Sequence, residues 1–180
     1  MSDQEEQRDT GQKAIPEAGL LGRMIVSLGT LFSCAIVLSA AILIVEVAMR
    51  YLFNSPTVWA HETVIFLTAI TFLFGGLYCA STNKHIRVVL IYDALSPGLR
   101  RVFDVAISIA CAIASALFSW AGWLVVERAI WTPAGDFRLE TSGSAWNPPT
   151  PGLLKLFLLG ILILMCLQFA ILAVNYAKKK

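Results

Sequence analysis

The acidic and basic residues of this chain are spaced as borders around four charge-free windows. Between Arg23 and Glu46 lie 22 uncharged residues, and between Glu62 and Lys84 lie 21. Asp104 and Glu127 enclose 22, and Lys155 and Lys178 enclose 22 more. A helix needs about 20 apolar residues to cross roughly 30 Å of hydrocarbon. The spacing predicts an all-α integral membrane protein with four transmembrane helices. A membrane barrel would alternate apolar and polar residues in segments of about ten. Leu156 to Leu167 (LFLLGILILMCL) shows no alternation, and in lipid only a helix satisfies such a run's backbone from within. A composition of 57% hydrophobic and 14% charged residues also rules out an ordinary soluble domain.

The expected spans are about 24–49, 58–83, 101–127 and 153–177, within a single membrane domain at 20–177. A polar arm at 1–19 precedes it and a basic tail at 178–180 follows it. Asn54-Ser55-Pro56 is expected to break the first helix. Residues 85–95 (HIRVVLIYDAL) are too short to span and too apolar to float free, so a short interfacial segment is expected between helices 2 and 3. The third helix is expected to extend as far as Trp131, about 33 residues or ~50 Å.

Ten of the fourteen Lys and Arg fall on one side of this topology: Arg8, Lys13, Arg23, Lys84, Arg87, Arg100, Arg101 and Lys178 to Lys180. The positive-inside rule then makes both termini cytoplasmic. Five acids in the first 17 residues argue against a cleaved signal, whose start would be basic. The basic residues hug membrane borders, so membrane lipid is an expected partner and nucleic acid is not.

Catalytic and transport chemistry is poorly represented. Glu46, Glu62, Asp104 and Glu127 all sit at span ends, whereas proton or cation pathways use an intramembrane carboxylate. Within the spans the strongest polar groups are hydroxyls such as Thr68, Thr71, Ser108 and Ser115, plus Gln168, able to bond a neighbouring helix or their own backbone. Cys34, Cys79, Cys111 and Cys166 each fall in a different span without CxxC spacing, which points to small apolar packing rather than metal or redox work. His61 and His85 lie at opposite ends of one helix, ~36 Å apart, too far to share one haem iron. No catalytic residue, metal ligand or cofactor is expected, and the chain reads as no enzyme.

The identifiable features are the borders of the second span. Arg50, Trp59, His61 and Glu62 precede it, and Lys84, His85 and Arg87 follow it. Glu46 and Arg50 are spaced i,i+4 and can pair, and Arg128 could meet Glu62 across helices. Gly75 and Gly76 form a small-residue patch that lets another helix approach.

The order RYLFNSP, W-x-x-E, Phe74-Gly75-Gly76, NKHIRV, YDAL and L-R-R resembles the DctQ family, the small permease subunits of the tripartite ATP-independent periplasmic (TRAP) transporters. The likeness extends from about residue 20 to 177. His61 stands where the family often has the first of two acids. The resemblance implies a large multispanning permease subunit and a periplasmic substrate-binding protein as partners, in the bacterial inner membrane. It implies sodium-coupled uptake of an organic acid, with this chain as scaffold and Arg50, Trp59, Glu62, Gly75, Gly76, His85 and Arg87 as motif or subunit-interface residues. The residues themselves leave two other classes open, the membrane anchor of a redox enzyme and a stand-alone four-helix transporter.

Overall fold

The computed structural model of the chain describes residues 13–82 and 96–178. A 3-10 turn at Pro16–Ala18 leads into four helices, α1 (Gly19–Tyr51), α2 (Val58–Thr82), α3 (Pro97–Ile130) and α4 (Thr150–Lys178). All four are long and apolar enough to cross a membrane. Among the described residues the β pairing is limited to one isolated bridge, Trp131 with Phe137. The four-span, all-α class expected from the charge borders is the class observed. The interfacial segment expected at 85–95 lies outside the described residues, together with Lys84, most of the N-terminal arm, Lys179 and Lys180.

Helix ends follow local chemistry. Past Tyr51, Asn54 adopts φ 50°, and the Ser55 N–H donates to the Met49 carbonyl at 3.0 Å. This left-handed residue, with a bond that reaches six residues back, closes the helix, and Pro56 follows where a helix cannot resume immediately. At 34 residues, α3 is ~51 Å long, which outlasts a hydrocarbon core of about 30 Å.

The chain divides into two compact units, and every helix contributes to both. The terminal unit comprises Met1–Gly29, Gly76–Phe118 and Leu162–Lys180, and the loop unit comprises Thr30–Gly75 and Ser119–Ile161.

In the terminal unit, Ala18, Ala80, Phe169, Leu172 and Tyr176 form the core, with Ala14 and Ile15 packed on it. The folded body therefore begins before the border expected near residue 20. The reason lies in the main chain. Gly19, at φ 66°, reverses the direction of the chain in a region of backbone space that favours glycine. Ile15 N–H then donates to the Ser81 carbonyl at 3.2 Å. The Gln168 amide donates to the Ala18 carbonyl at 3.2 Å, and the Asn175 amide to the Glu17 carbonyl at 2.7 Å. A Cβ at Gly22 would overlap the Ala18 methyl, so the turn closes only over a glycine. Arg101 donates to the carbonyls of Tyr176 and Ala177, which the end of α4 leaves without helical partners.

In the loop unit, Phe32 stacks on Phe74 with ring centroids 3.9 Å apart, and Ala60, Val126, Ala129 and Ile161 are buried. The 131–149 connection folds onto the end of α3. Arg138 N–H donates to the Ile130 carbonyl at 2.7 Å, and Glu140 N–H to the Ala129 carbonyl at 2.8 Å. The last-turn carbonyls of α3 are thereby satisfied without water. Gly152 completes the packing, since a Cβ there would lie 2.6 Å from Leu139 Cδ1. Lys155 pairs with Glu140 across the same junction.

Many of the buried positions carry hydroxyls: Ser39, Ser81, Thr82, Ser108 and Ser115. Ser39, Ser81, Thr82 and Ser108 each donate to the carbonyl four residues earlier, and so does Thr71. They satisfy themselves on their own helix, as expected of Ser and Thr held away from water. Large aliphatic and aromatic side chains point outward along the helices, the arrangement of a bundle solvated by lipid or by other membrane helices.

Candidate functional site

The polar cluster of the loop unit forms where α1 ends and α2 begins. The Glu46 side chain sits at the end of an apolar run, is only 8% exposed, and accepts from two residues, Arg50 and Thr57. Arg50, one turn later on the same face, donates to Oε1 at 2.7 Å from Nη2 and at 3.3 Å from Nε. Thr57 donates to Oε2 with its backbone N–H at 3.0 Å and also with its hydroxyl. The segment 46–57 therefore closes into a loop, with Thr57 returning to the Glu46 carboxylate eleven positions earlier. Thr57 immediately precedes α2, so the clip fixes where that helix starts. Charge-assisted bonds of this kind are stronger than neutral ones. The loop it holds presents Tyr51, Leu52 and Phe53 exposed.

Trp59, half-exposed in the first turn of α2, stands beside this clip in sequence. One turn on, Glu62 accepts a hydrogen bond from the Ser142 hydroxyl at 3.2 Å, while its Oε2 is buried with no partner. Arg128 makes no ion pair among the described residues, so the Glu62–Arg128 contact considered above does not form. Ser142 belongs to the 131–149 connection, in a tight loop where its N–H donates to the Pro148 carbonyl at 3.0 Å. There Gly143 N–H donates to Asn147 Oδ1, and Ser144 Oγ accepts from the amides of Trp146 and Asn147. Asn147 and Gly143 both carry positive φ. The sequence carries a turn signal there, but nothing local ties Ser142 to a residue eighty positions earlier.

Gly75 and Gly76, like Gly98 and Gly160, differ from the helical glycines that other side chains fill. A Cβ on either would meet nothing within 4 Å, so this chain does not use the space beside them. The close approaches within the chain are elsewhere. Gly29 lies against the Tyr78 ring, with a notional Cβ 2.9 Å from Cε2, and Gly22 and Gly152 are comparably filled. Sequence reading singled out the paired glycines and missed these three, whose neighbours are set by tertiary packing. His85 and Arg87 lie outside the described residues. The α2 helix has 25 residues and is ~37 Å long, so Trp59 and Glu62 stand at the far end from Thr82.

Chemically, the cluster can fix backbone and accept a donor from outside. Among the described residues no group of three His, Cys, Asp or Glu could hold a metal ion. His61 is exposed.

The sequence matches the family described as tripartite ATP-independent periplasmic transporters, DctQ component, over residues 39–178. It is also similar to a C4-dicarboxylate TRAP transporter small permease protein from Vibrio cholerae serotype O1, 30% identical over 100 residues. That alignment spans 52% of this chain and 42% of the relative.

Proposed function

The chain belongs to the DctQ component family of the tripartite ATP-independent periplasmic transporters, a family of transport subunits rather than enzymes, and from that membership we propose that it is the static scaffold subunit of such a transporter. In this reading it supports a large multispanning permease subunit in the bacterial inner membrane. The permease moves an organic acid, coupled to sodium, after a periplasmic substrate-binding protein delivers it. The C4-dicarboxylate name of the relative supports a carboxylate-bearing cargo. The basic residues of the termini and of the segment after α2 support cytoplasmic termini in this reading.

The observation that carries this reading is the disposition of polar groups along the helices. The 21 or 22 residues between the charged borders of every span contain no ionisable acid or base, and the charged contacts gather at helix ends. A moving or ion-carrying element needs polar groups at mid-membrane. A scaffold needs apolar faces and firm ends. In α1 only 6% of the apolar window is buried inside the chain, leaving that helix to lipid or a partner.

The decisive experiment co-expresses the chain with its large permease and binding protein. A tag on this chain is expected to recover the large subunit. Uptake of labelled C4-dicarboxylate is expected only with all three proteins and an inward sodium gradient. Recovery of this chain alone as a stable assembly, or substrate flux into liposomes that hold it alone, overturns the reading. For topology, Arg138→Cys should react with an impermeant thiol reagent from outside, and Lys178→Cys should not. Charge reversal at Arg50 or Glu62 is expected to weaken assembly or uptake.

A further inference from the structure

The charged borders of the loop unit stand at two heights. Phe32 of α1 meets Phe157 of α4, with ring centroids 6.1 Å apart, so the two helices share a level there. From Phe32, α1 runs fourteen residues to Glu46, a rise of ~21 Å. From Phe157, the chain steps back only two residues to Lys155, ~3 Å in the same direction. The charge-free windows of these antiparallel helices therefore end ~18 Å apart along their axes, which the 6.1 Å between the rings cannot absorb. Helical side chains lean toward the start of their own helix, and here that lean widens the difference. The α2 helix agrees with α1: Phe74 stacks on Phe32, and Glu62 lies twelve residues toward the loops, ~18 Å. The α3 helix agrees with α4: Glu140 N–H donates to the Ala129 carbonyl, and Gly152 N–H to the Glu140 carbonyl.

Each height carries residues suited to different surroundings. The low border holds Glu127, Arg128, Arg138 and Glu140, all exposed, and Lys155, which pairs with Glu140. Ionised groups in hydrocarbon are strongly unfavourable, so water or headgroups have to reach this level. Trp131 and Phe137 meet edge-on beside it, as aromatic rings do at a lipid border. Above the same level α1 exposes Val37, Leu43, Ile44 and Val45, with no charge before Glu46. Beyond Glu46 stand a second set of exposed aromatics, Tyr51, Phe53 and Trp59. A flat border at Glu46 would sink the five charges into hydrocarbon. A flat border at Lys155 would leave about three apolar turns of α1 in water. Neither slab serves both sides.

We propose that the chain sits in a stepped bilayer: headgroups and water descend beside α3 and α4 to the level of Lys155, while acyl chains cover α1 up to Glu46. The subunit thereby thins the membrane locally on its α3–α4 side. Arg128, Arg138 and Lys155 stand there with Glu127 and Glu140, a mixed set that suits the phosphate and ammonium of a zwitterionic headgroup. Local thinning is a modest cost per ångström, whereas a charge held in hydrocarbon is a large one. The inference needs only that the four helices cross a membrane, and it stands apart from the scaffold reading.

The test uses the full chain in phosphatidylcholine nanodiscs, which leave both membrane faces open to reagent, with the four native cysteines replaced by alanine. Single cysteines are placed by Leu153→Cys on α4, at a site 41% exposed, and by Val37→Cys and Ile44→Cys on α1, at sites both 70% exposed. Ile44 lies ~12 Å farther toward the loops than Leu153, and Val37 lies almost level with it. Thiol reagents attack the thiolate, which hydrocarbon does not sustain. Leu153→Cys is therefore expected to react with a charged, water-soluble thiol reagent at least about tenfold faster than Val37→Cys or Ile44→Cys. Any flat border predicts that Ile44→Cys reacts no more slowly than Leu153→Cys, and that order overturns the proposal. Equal reaction at all three positions, or none at any, overturns it as well. Should Leu153→Cys lose helix content by circular dichroism, Arg128→Cys on α3, beside the same low border, takes its place with the same expected order.

Discussion

The terminal unit and the loop unit close their helix ends with different chemistry. The terminal unit staples itself through main-chain carbonyls: Ser81, Ala18, Glu17, Tyr176 and Ala177 all accept, from a backbone amide, two side-chain amides and one guanidinium. The loop unit instead uses carboxylates, with Glu46 gripping Arg50 and Thr57, Glu140 gripping Lys155, and Glu62 taking Ser142. A carbonyl staple depends on chain path and on small residues that allow approach. A carboxylate clip depends on the particular side chain. The first should therefore be sensitive to added bulk and the second to removed charge.

The largest effect is expected where bulk meets the terminal staple. Gly22→Leu should displace Ala18 and release residues 14–18, lowering the stability of the isolated chain by about 3 kcal/mol. Hydrogen–deuterium exchange should show the Ile15 amide losing protection. Unchanged protection would mean that the turn does not rely on that close approach.

Next comes Glu46→Gln, which keeps shape but removes the charge serving two Arg50 nitrogens and both Thr57 donors. Exchange should rise at residues 50–57 and stay level at residues 14–18. The effect should exceed that of Arg50→Gln, since Arg50 is one partner among the two residues that share the carboxylate. Equal effects would reduce the clip to a simple ion pair.

A smaller loss, about 1 kcal/mol, is expected for Gln168→Leu. The amide bond to Ala18 disappears, but so does the buried Oε1 that has no partner, and the two changes oppose each other. A thermal shift larger than that of Gly22→Leu would reverse the ranking of bulk over hydrogen bonding in the terminal unit. Least of all, raising salt from about 0.15 M to about 1 M shortens the screening length to ~3 Å. The half-exposed Lys155–Glu140 pair should weaken by under ~0.5 kcal/mol. Exchange at the start of α4 reports it, and the terminal unit should not respond.

The same contrast explains what was legible from residues alone. The four helices were, because charges in hydrocarbon are excluded strongly enough to mark each border. The Glu46–Arg50 pair was legible too, since i,i+4 spacing on a helix guarantees proximity. The partner of Glu62 was not, because Ser142 reaches it only through the path of a long connection. Nor was the packing of Ala14, Ile15 and Ala18. Their bonds run through the backbone, which every sequence shares, and the Gly22 that admits them looks like any membrane-helix glycine. Gly75 and Gly76 stood out as a pair, yet the space beside them is open within this chain. Gly75→Leu should accordingly leave the isolated chain as stable as before and show any cost only in the assembled transporter.

The division of the chain also sorts its chromophores. All five tryptophans, Trp59, Trp120, Trp123, Trp131 and Trp146, belong to the loop unit, while Tyr78 and Tyr176 belong to the terminal unit. Indole emission, excited beyond the tyrosine band, is thus an intrinsic optical report on the loop unit alone. A quencher carried at known depth on lipid chains would dim the exposed Trp120 and Trp123, so the surroundings of the loop unit could be followed by light without any label.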